Sequence, residues 1–270
     1  MNTTTENPTT QSLTPHLLKG KKFVVFGVAN KWSIAWAITQ SLSDAGAQVA
    51  LTYIDERTED KVRSLAATLP IKPLLLPCDV TKDDQVESVF AKIKQEFGTI
   101  DGLVHAIAFA KKDELEGSFV KTSREGFRIA LDISAYSLIS LTRVAAPLME
   151  NGGSIITLTY LGGERVVPNY NVMGVAKAAL ECCVKYLASE LGEKNIRVNA
   201  ISAGPVNTLA ARGIGGFQDL VKVVGQKAPL RRNIEAEEVG DTALFLLSHL
   251  SRAITGEILY VDAGYQILAS

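Results

Sequence analysis

The chain has 270 residues, 47% of them hydrophobic and 21% charged, which excludes a disordered protein and leaves room for one large α/β domain or two small ones. Its 28 basic and 29 acidic residues nearly cancel, so it lacks the positive excess with which a nucleic-acid binder follows a phosphate backbone. Cys78, Cys182 and Cys183 have the spacing of neither a metal site nor a disulfide framework and suit a reducing cytoplasm; the adjacent pair reads as ordinary helix residues, because a vicinal disulfide is strained.

Residues 1–18, MNTTTENPTTQSLTPHLL, are polar and rich in Thr and Pro. They lack the basic start and continuous apolar stretch of a signal peptide and read as a disordered extension, which leaves residues 19–270 as the folded unit. No segment is expected to reach the length and apolarity of a membrane span. From about residue 22 short apolar runs alternate with amphipathic stretches, the pattern of repeated βαβ units around a parallel sheet. Seven strands are predicted: KFVVFG (22–27), QVALTY (48–53), PLLLP (73–77), DGLVHAIA (101–108), SIITLTY (154–160), IRVNAIS (196–202) and EILYVD (257–262). Helical patterns near 33–45, 58–69, 83–97, 123–150, 170–192 and 236–249 lie between them, several closed by a glycine such as Gly46, Gly98 or Gly192. No Pro- or Ser-rich linker divides the chain after residue 20, so the expected fold is a single doubly wound, Rossmann-type α/β domain with a seven-stranded parallel sheet. The stretch 203–232 breaks the rhythm with Gly204, Gly213, Gly215, Gly216 and Gly225. It follows the sixth strand, and ligands of open α/β sheets bind outside the carboxyl ends of strands, so it is expected to form a substrate-binding lid.

The turn that begins at Gly27 sits where a dinucleotide fold presents unpaired N–H groups and the positive end of a helix dipole to a diphosphate. The G-x-G-x-x-G fingerprint is absent, and Gly27 with Ser33 and Ile34 reads either as a phosphate turn or as an ordinary βα turn. Tyr53-Ile54-Asp55-Glu56-Arg57 ends the second strand with acids for an adenosine ribose and a base for a 2′-phosphate; the acids come first, which leans towards NADH. Cys78-Asp79-Val80 offers either a carboxylate for an adenine amino group, with an apolar side chain for its ring, or a helix-capping Asp.

The segment SIITLTYLGGERVVPNYNVMGVAK (154–177) carries the strongest signal. A strand ends near Tyr160, a Gly-Gly turn follows, and Pro168 precedes a helix on which Tyr170 and Lys177 are seven residues apart. Seven residues are about two turns, to within roughly 20° of one face, so both side chains can point into one site. A lysine held there by ribose hydroxyls would make the phenol a better donor or acid than its ordinary pKa of about 10 implies, able to stabilise an enolate oxygen. The other reading packs Tyr170 on the helix and leaves Lys177 solvated.

With these residues in place, the chain resembles the short-chain dehydrogenase/reductase superfamily and, within it, the bacterial enoyl-acyl-carrier-protein reductases, over essentially residues 19–268. Ordinary members of the superfamily carry a catalytic tyrosine four residues before the lysine, where this chain has Met173. The enoyl reductases have the wider spacing of Tyr170 and Lys177 and a second tyrosine ten residues earlier, here Tyr160. SIAW (33–36), HAIAFA (105–110), SREGF (123–127), LDISAYS (131–137), RVNAISAGPVNTLAA (197–211) and YVDAGY (260–265) match as well. The resemblance implies cofactor contacts at Gly27, Ser33, Ile34, Ile54, Asp79, Val80, Ile107 and Lys177, and along Val206, Asn207, Thr208, Leu209 and Ala210. It places Ala110 near the acyl substrate, with Tyr160 and Tyr170 at the proton-donor and catalytic positions beside it. Apolar Ile54 stands where some relatives have a polar or basic residue and gives a 2′-phosphate no partner; NADH is the expected cofactor, with NADPH the alternative, and no metal is expected.

The implied activity is hydride delivery to the β-carbon of a trans-2-enoyl thioester on acyl carrier protein, in fatty-acid elongation. Tyr170 would hold the enolate oxygen, Lys177 the nicotinamide ribose, and Leu209–Val221 would close over the acyl chain and exclude water. Arg212, Lys222, Lys227, Arg231 and Arg232 either steer the docking of an acidic acyl carrier protein or form a solvated basic face. Relatives are generally homotetramers, which implies the same here; no nucleic-acid or membrane partner is expected. Two rivals stand beside this reading: a 3-ketoacyl thioester reductase, which needs a tyrosine at the Met173 position, and a nucleotide-sensing regulator that has lost catalysis.

Overall fold

The computed structural model describes residues 16–208 and 215–269. Strands form at the predicted apolar runs: β1 (Lys22–Phe26), β2 (Gln48–Tyr53), β3 (Leu74–Pro77), β4 (Gly102–His105), β5 (Gly153–Thr159), β6 (Ile196–Ala203) and β7 (Ile258–Val261). They make one parallel sheet in the order β3-β2-β1-β4-β5-β6-β7. Parallel sheets are covered on both faces, which is why these strands read as continuous apolar runs rather than alternating ones. All four residues of β4 are buried, and β1 sends Phe23 and Val25 into one core and Val24 and Phe26 into the other.

Against the first core lie α1 (Ile34–Asp44), α2 (Glu56–Ala66) and α8 (Ala236–Leu247); against the second lie α3 (Asp83–Phe97), α5 (Ser137–Ala145) and α6 (Asn171–Leu191). β1 has β2 on one side and β4 on the other. Connections leaving in opposite directions open a crevice at the carboxyl ends of these two strands, the usual ligand position in this architecture. Gly27 stands there with φ 104°, and a Cβ on it would lie 2.1 Å from the Ala106 carbonyl oxygen, so no side chain fits between the strand ends.

Four expectations change. The single helix predicted over 123–150 is α4 (Arg124–Leu131), a π-helical turn Asp132–Tyr136, α5 and a 3-10 turn Ala146–Leu148. Contrary to expectation, the continuous helical stretch Arg124–Leu148 is, by length and composition alone, long and apolar enough to cross a membrane, with a mean hydropathy of 1.3 in a window that is half buried. Its apolarity has a use within the fold, since Leu138, Leu141, Ala145 and Leu148 pack under the sheet. Inside the stretch 203–232 the chain forms α7 (Phe217–Lys227), whose Val224 joins the first core. Finally, Leu17 and Leu18, assigned to the extension on composition, pack on that core: Leu18 is 2% exposed and its N–H donates to the Ala45 carbonyl at 2.9 Å. Residues 1–15 lie outside the described residues.

Leu18→Ala is therefore expected to lower stability by about 2–3 kcal/mol in urea unfolding. A midpoint equal to that of the parent chain would place Leu18 outside the core.

Candidate active site

At the carboxyl end of β5, Tyr160 leads into the 3-10 turn Leu161–Gly163, and Tyr170 is the residue that opens α6. The turn lies flat against the start of this helix: a Cβ on Gly162 would meet Tyr170 Cδ1 at 2.4 Å. The two tyrosine rings meet edge to face, with centroids 5.0 Å apart and planes at 69°. Ala110, Leu115, Val167 and Met173 complete an apolar cluster around them. The two tyrosines and Ala110 thus share one cluster.

Lys177, two turns along α6, is 5% exposed, and its Nζ donates to the Leu158 carbonyl of β5 at 2.7 Å. An ammonium has three donors, so this bond uses one of them. Burial lowers the Lys177 pKa to about 8, opposed by Glu181 one turn further on. Burial also raises Tyr160 to about 12 and pushes Tyr170 further still, with the neighbouring Tyr160 and Glu181 acting in the same direction. Here the structure corrects the sequence reading: desolvation rather than the lysine's charge dominates Tyr170, which is held as a neutral phenol and hydrogen-bond donor.

Several polar residues around the site escaped the sequence reading. Glu181, its carboxyl pushed up by burial, accepts from Thr159 Oγ1 at 2.5 Å. Glu164, just after the Gly-Gly turn, accepts from the Tyr260 hydroxyl on β7. Ser134, in the π-helical turn, accepts from Phe109 N–H at 3.0 Å and lies 3.8 Å from Met173 Sδ. His105 is fully buried between Thr157 Oγ1, at 2.7 Å from Nδ1, and Ser137 Oγ, at 2.8 Å from Nε2. Ser137 donates its only hydrogen to the Ile133 carbonyl at 2.6 Å, so Nε2 carries the imidazole proton and Nδ1 accepts from Thr157. Two signals were available: Glu181 follows Lys177 by one helical turn, and Ser134 and Ser137 lie in the matched segment LDISAYS (131–137).

The crevice beside Gly27 suits a dinucleotide. Ser33 precedes α1 without a side-chain cap, donating instead to the Asn30 carbonyl at 2.6 Å, and no acidic residue occupies the first turn. Backbone N–H groups at a helix start of this kind favour a diphosphate. Ile34, Val80 and Ile107 are half-buried on the cores that line the strand ends, and Ile54 is 60% exposed at the end of β2. Asp55 caps α2 by accepting from Thr58 N–H at 2.9 Å, so this carboxylate has a structural partner. Asp79 accepts from Thr81 N–H and Oγ1 rather than capping α3, whose N-cap is Lys82. After β6, Val206 packs on the first core, Asn207 is exposed and Thr208 N–H donates to the Val206 carbonyl at 2.7 Å. Leu209 and Ala210 lie outside the described residues. A cavity of about 330 Å³ lined by Gly192, Arg197 and Arg252 lies at the opposite end of β6, where the Arg197 guanidinium donates to the Leu246, Ser248 and Ile254 carbonyls.

A family model described as enoyl-(acyl carrier protein) reductase matches residues 27–266. The chain belongs to the enoyl-acyl-carrier-protein reductase family. It is 58% identical over 253 residues to the NADH enoyl-acyl-carrier-protein reductase of Bacillus cereus, covering 93% of this chain and 99% of that one. It is 56% identical over 253 residues to its Bacillus subtilis counterpart, covering 93% and 98%. Among solved structures, the Bacillus cereus reductase with NADP+ and an indole naphthyridinone matches with a TM-score of 0.93 and 58% identity, over 94% of this chain and 100% of that one. The Anaplasma phagocytophilum reductase in complex with NAD matches with a TM-score of 0.90 and 47% identity, over 95% and 96%.

In this enoyl reductase, Met173 is 6% exposed and presents a thioether, not a hydroxyl, one turn into α6. His105 supports the same region from below, and burial, with the Lys177 charge, lowers its pKa to about 3. An unfolded chain takes up that proton near pH 6.5, so the neutral imidazole adds stability above this pH that is lost as pH falls from about 6.5 towards about 3. Replacing it with a non-titrating side chain, His105→Gln, is expected to flatten the dependence of unfolding free energy on pH between about 6.5 and about 4. An acid limb identical to the parent's would contradict this.

Proposed function

We propose that the chain reduces trans-2-enoyl-acyl-carrier-protein to the saturated thioester in fatty-acid elongation, with NADH as the reductant. The observation that carries the reading is the edge-to-face pair of half-buried Tyr160 and buried Tyr170, with buried Lys177 two turns along the same helix and Met173 where a ketoreductase needs a phenol. The nicotinamide cofactor, when bound, supplies a hydride. Gly27, Ser33 and Ile34 would hold its diphosphate, Asp79 and Val80 its adenine, and Lys177 its ribose, with Ile107 and the segment Val206 to Ala210 along the nicotinamide side. Ile54 gives no charge for a 2′-phosphate, whereas exposed Arg57 offers one, so NADPH is the alternative reductant.

Hydride arrival at the β-carbon leaves negative charge on the thioester oxygen. Tyr170, a neutral phenol in an apolar cluster, donates a hydrogen bond to that oxygen, and such a bond is strongest where water is excluded. Tyr160 orients the Tyr170 ring edge to face and bounds the acyl pocket with Ala110. Protonation at the α-carbon completes the product. Lys222, Lys227 and Arg231, exposed on and after α7, are the side chains offered to an acidic acyl carrier protein; Arg232 is held by Glu238 at 2.7 Å, and Arg212 lies outside the described residues. Exposed Phe127, Tyr136 and Tyr186 and the half-exposed edge strand β7 support self-association, and the family resemblance makes the assembly a homotetramer. The absence of any disulfide framework supports a cytoplasmic location, and the folded unit is one catalytic domain beginning near Leu17.

Tyr170→Phe is expected to lower kcat for crotonyl thioester about 100-fold while the KM for NADH stays within about twofold. Full activity in that variant would remove the hydroxyl from the mechanism. Because burial brings Lys177 to about 8, kcat/KM for NADH is expected to fall as pH rises through about 8, and this limb moves upward in Lys177→Arg. A limb at the same pH in both proteins would assign it to another group.

A further inference from the structure

Backbone strain gathers on either side of Tyr170. Among the described residues, Asn169 has φ 61° and Asn171 φ 38°, so the two immediate neighbours of this tyrosine both adopt left-handed backbone. Outside glycine such backbone is disfavoured by Cβ sterics, and asparagine tolerates it best. Tyr170 between them is right-handed, with φ −98° and ψ −26°, and its side chain makes no cap bond at the start of α6. Both flanking amides are engaged. Asn169 Nδ2 donates to the Gly215 carbonyl at 2.9 Å, just before α7, and Asn171 Nδ2 donates to the Gly117 carbonyl at 3.3 Å, in the connection between β4 and α4. The chain thus enters and leaves the tyrosine through reversed conformations, each tied to a different wall of the cluster.

We propose that Asn169 and Asn171 are positioning residues that set the Tyr170 phenol in the reacting site by holding reversed backbone on both sides of it and anchoring it to α7 and to the β4–α4 connection. The inference rests on the assignment of Tyr170 to that site. Strained backbone persists only where the surroundings over-determine it, and the two amide bonds supply that constraint. A phenol ring magnifies small backbone rotations, so relaxation at residue 169 displaces the hydroxyl without needing to unfold the helix.

The test uses the full chain with Cζ-labelled tyrosine, the Tyr170 carbon resonance being assigned by its loss in Tyr170→Phe, together with steady-state reduction of crotonyl thioester by NADH. Asn169→Gly keeps left-handed backbone accessible and loses the amide; Asn169→Ala disfavours the first and loses the second. Asn169→Ala is expected to shift or broaden the Tyr170 resonance and to lower kcat about tenfold, with the KM for NADH within about twofold. Asn169→Gly, which keeps the reversed backbone but loses the bond to Gly215, is expected to fall between the parent chain and Asn169→Ala in both readouts, and a fully parental Asn169→Gly would remove the anchoring role of the amide. A wild-type resonance and kcat in Asn169→Ala overturns the proposal, as does an Asn169→Gly variant as impaired as Asn169→Ala. If the parent chain itself does not turn over, the proposed activity fails, and the resonance comparison still decides for or against positioning. Should Asn169→Ala not fold, Asn171→Ala against Asn171→Gly gives the same comparison on the other side of the tyrosine.

Discussion

A buried ammonium must find partners or lose its charge, because desolvating it costs several kcal/mol that only well-placed acceptors offset. Lys177 meets this constraint with the Leu158 carbonyl and with Glu181 one turn along the same helix, itself bonded by Thr159. Both β5 residues stand at the carboxyl end of their strand, so α6 must sit over that end in one register for the lysine to be satisfied. The same register brings Tyr170 onto the Gly-Gly turn and against Tyr160. Even with these partners the lysine sits near a pKa of about 8, so its charge is conditional on pH in a way that a surface lysine's is not.

The polar residues beneath the site tie it to the sheet. His105 on β4 bonds to Thr157 on β5 and to Ser137 at the start of α5. Ser137 and Ser134 then engage the carbonyl of Ile133 and the backbone of Phe109, which fixes the π-helical turn against the chain leaving β4. A π-helical turn at this point is costly in an ordinary helix and often marks a functional region. Here it aims Ser134 at Phe109 and Met173 and Ser137 at His105, while Ala135, Leu138 and Leu141 remain in the core. Family membership and geometry converge on these elements: the end of β5, the Gly-Gly turn and the start of α6 meet around the two tyrosines.

Much of this was legible in the sequence because it depends on local pattern. Parallel strands buried on both faces read as short apolar runs, and a seven-residue spacing on a helix places Tyr170 and Lys177 on one side. What escaped depends on contacts between segments far apart in the chain. Leu17 and Leu18 follow a polar stretch and look like its continuation, yet they close over α1 and the sheet. α7 lies in a glycine-rich stretch whose composition reads as loop, and its helix is supported by Val224 reaching the core. The phenol's pKa direction was misread because spacing shows a cation nearby but does not show how completely both groups are removed from water.

The central claim is that this site reduces a carbon–carbon double bond and not a ketone. The most direct measurement follows loss of NADH absorbance, and separately NADPH absorbance, with crotonyl thioester and with acetoacetyl thioester on one preparation of the protein. Oxidation with the crotonyl substrate alone is the predicted result, with NADH the better reductant. Oxidation with the acetoacetyl substrate alone would contradict the account and assign the scaffold to ketone reduction.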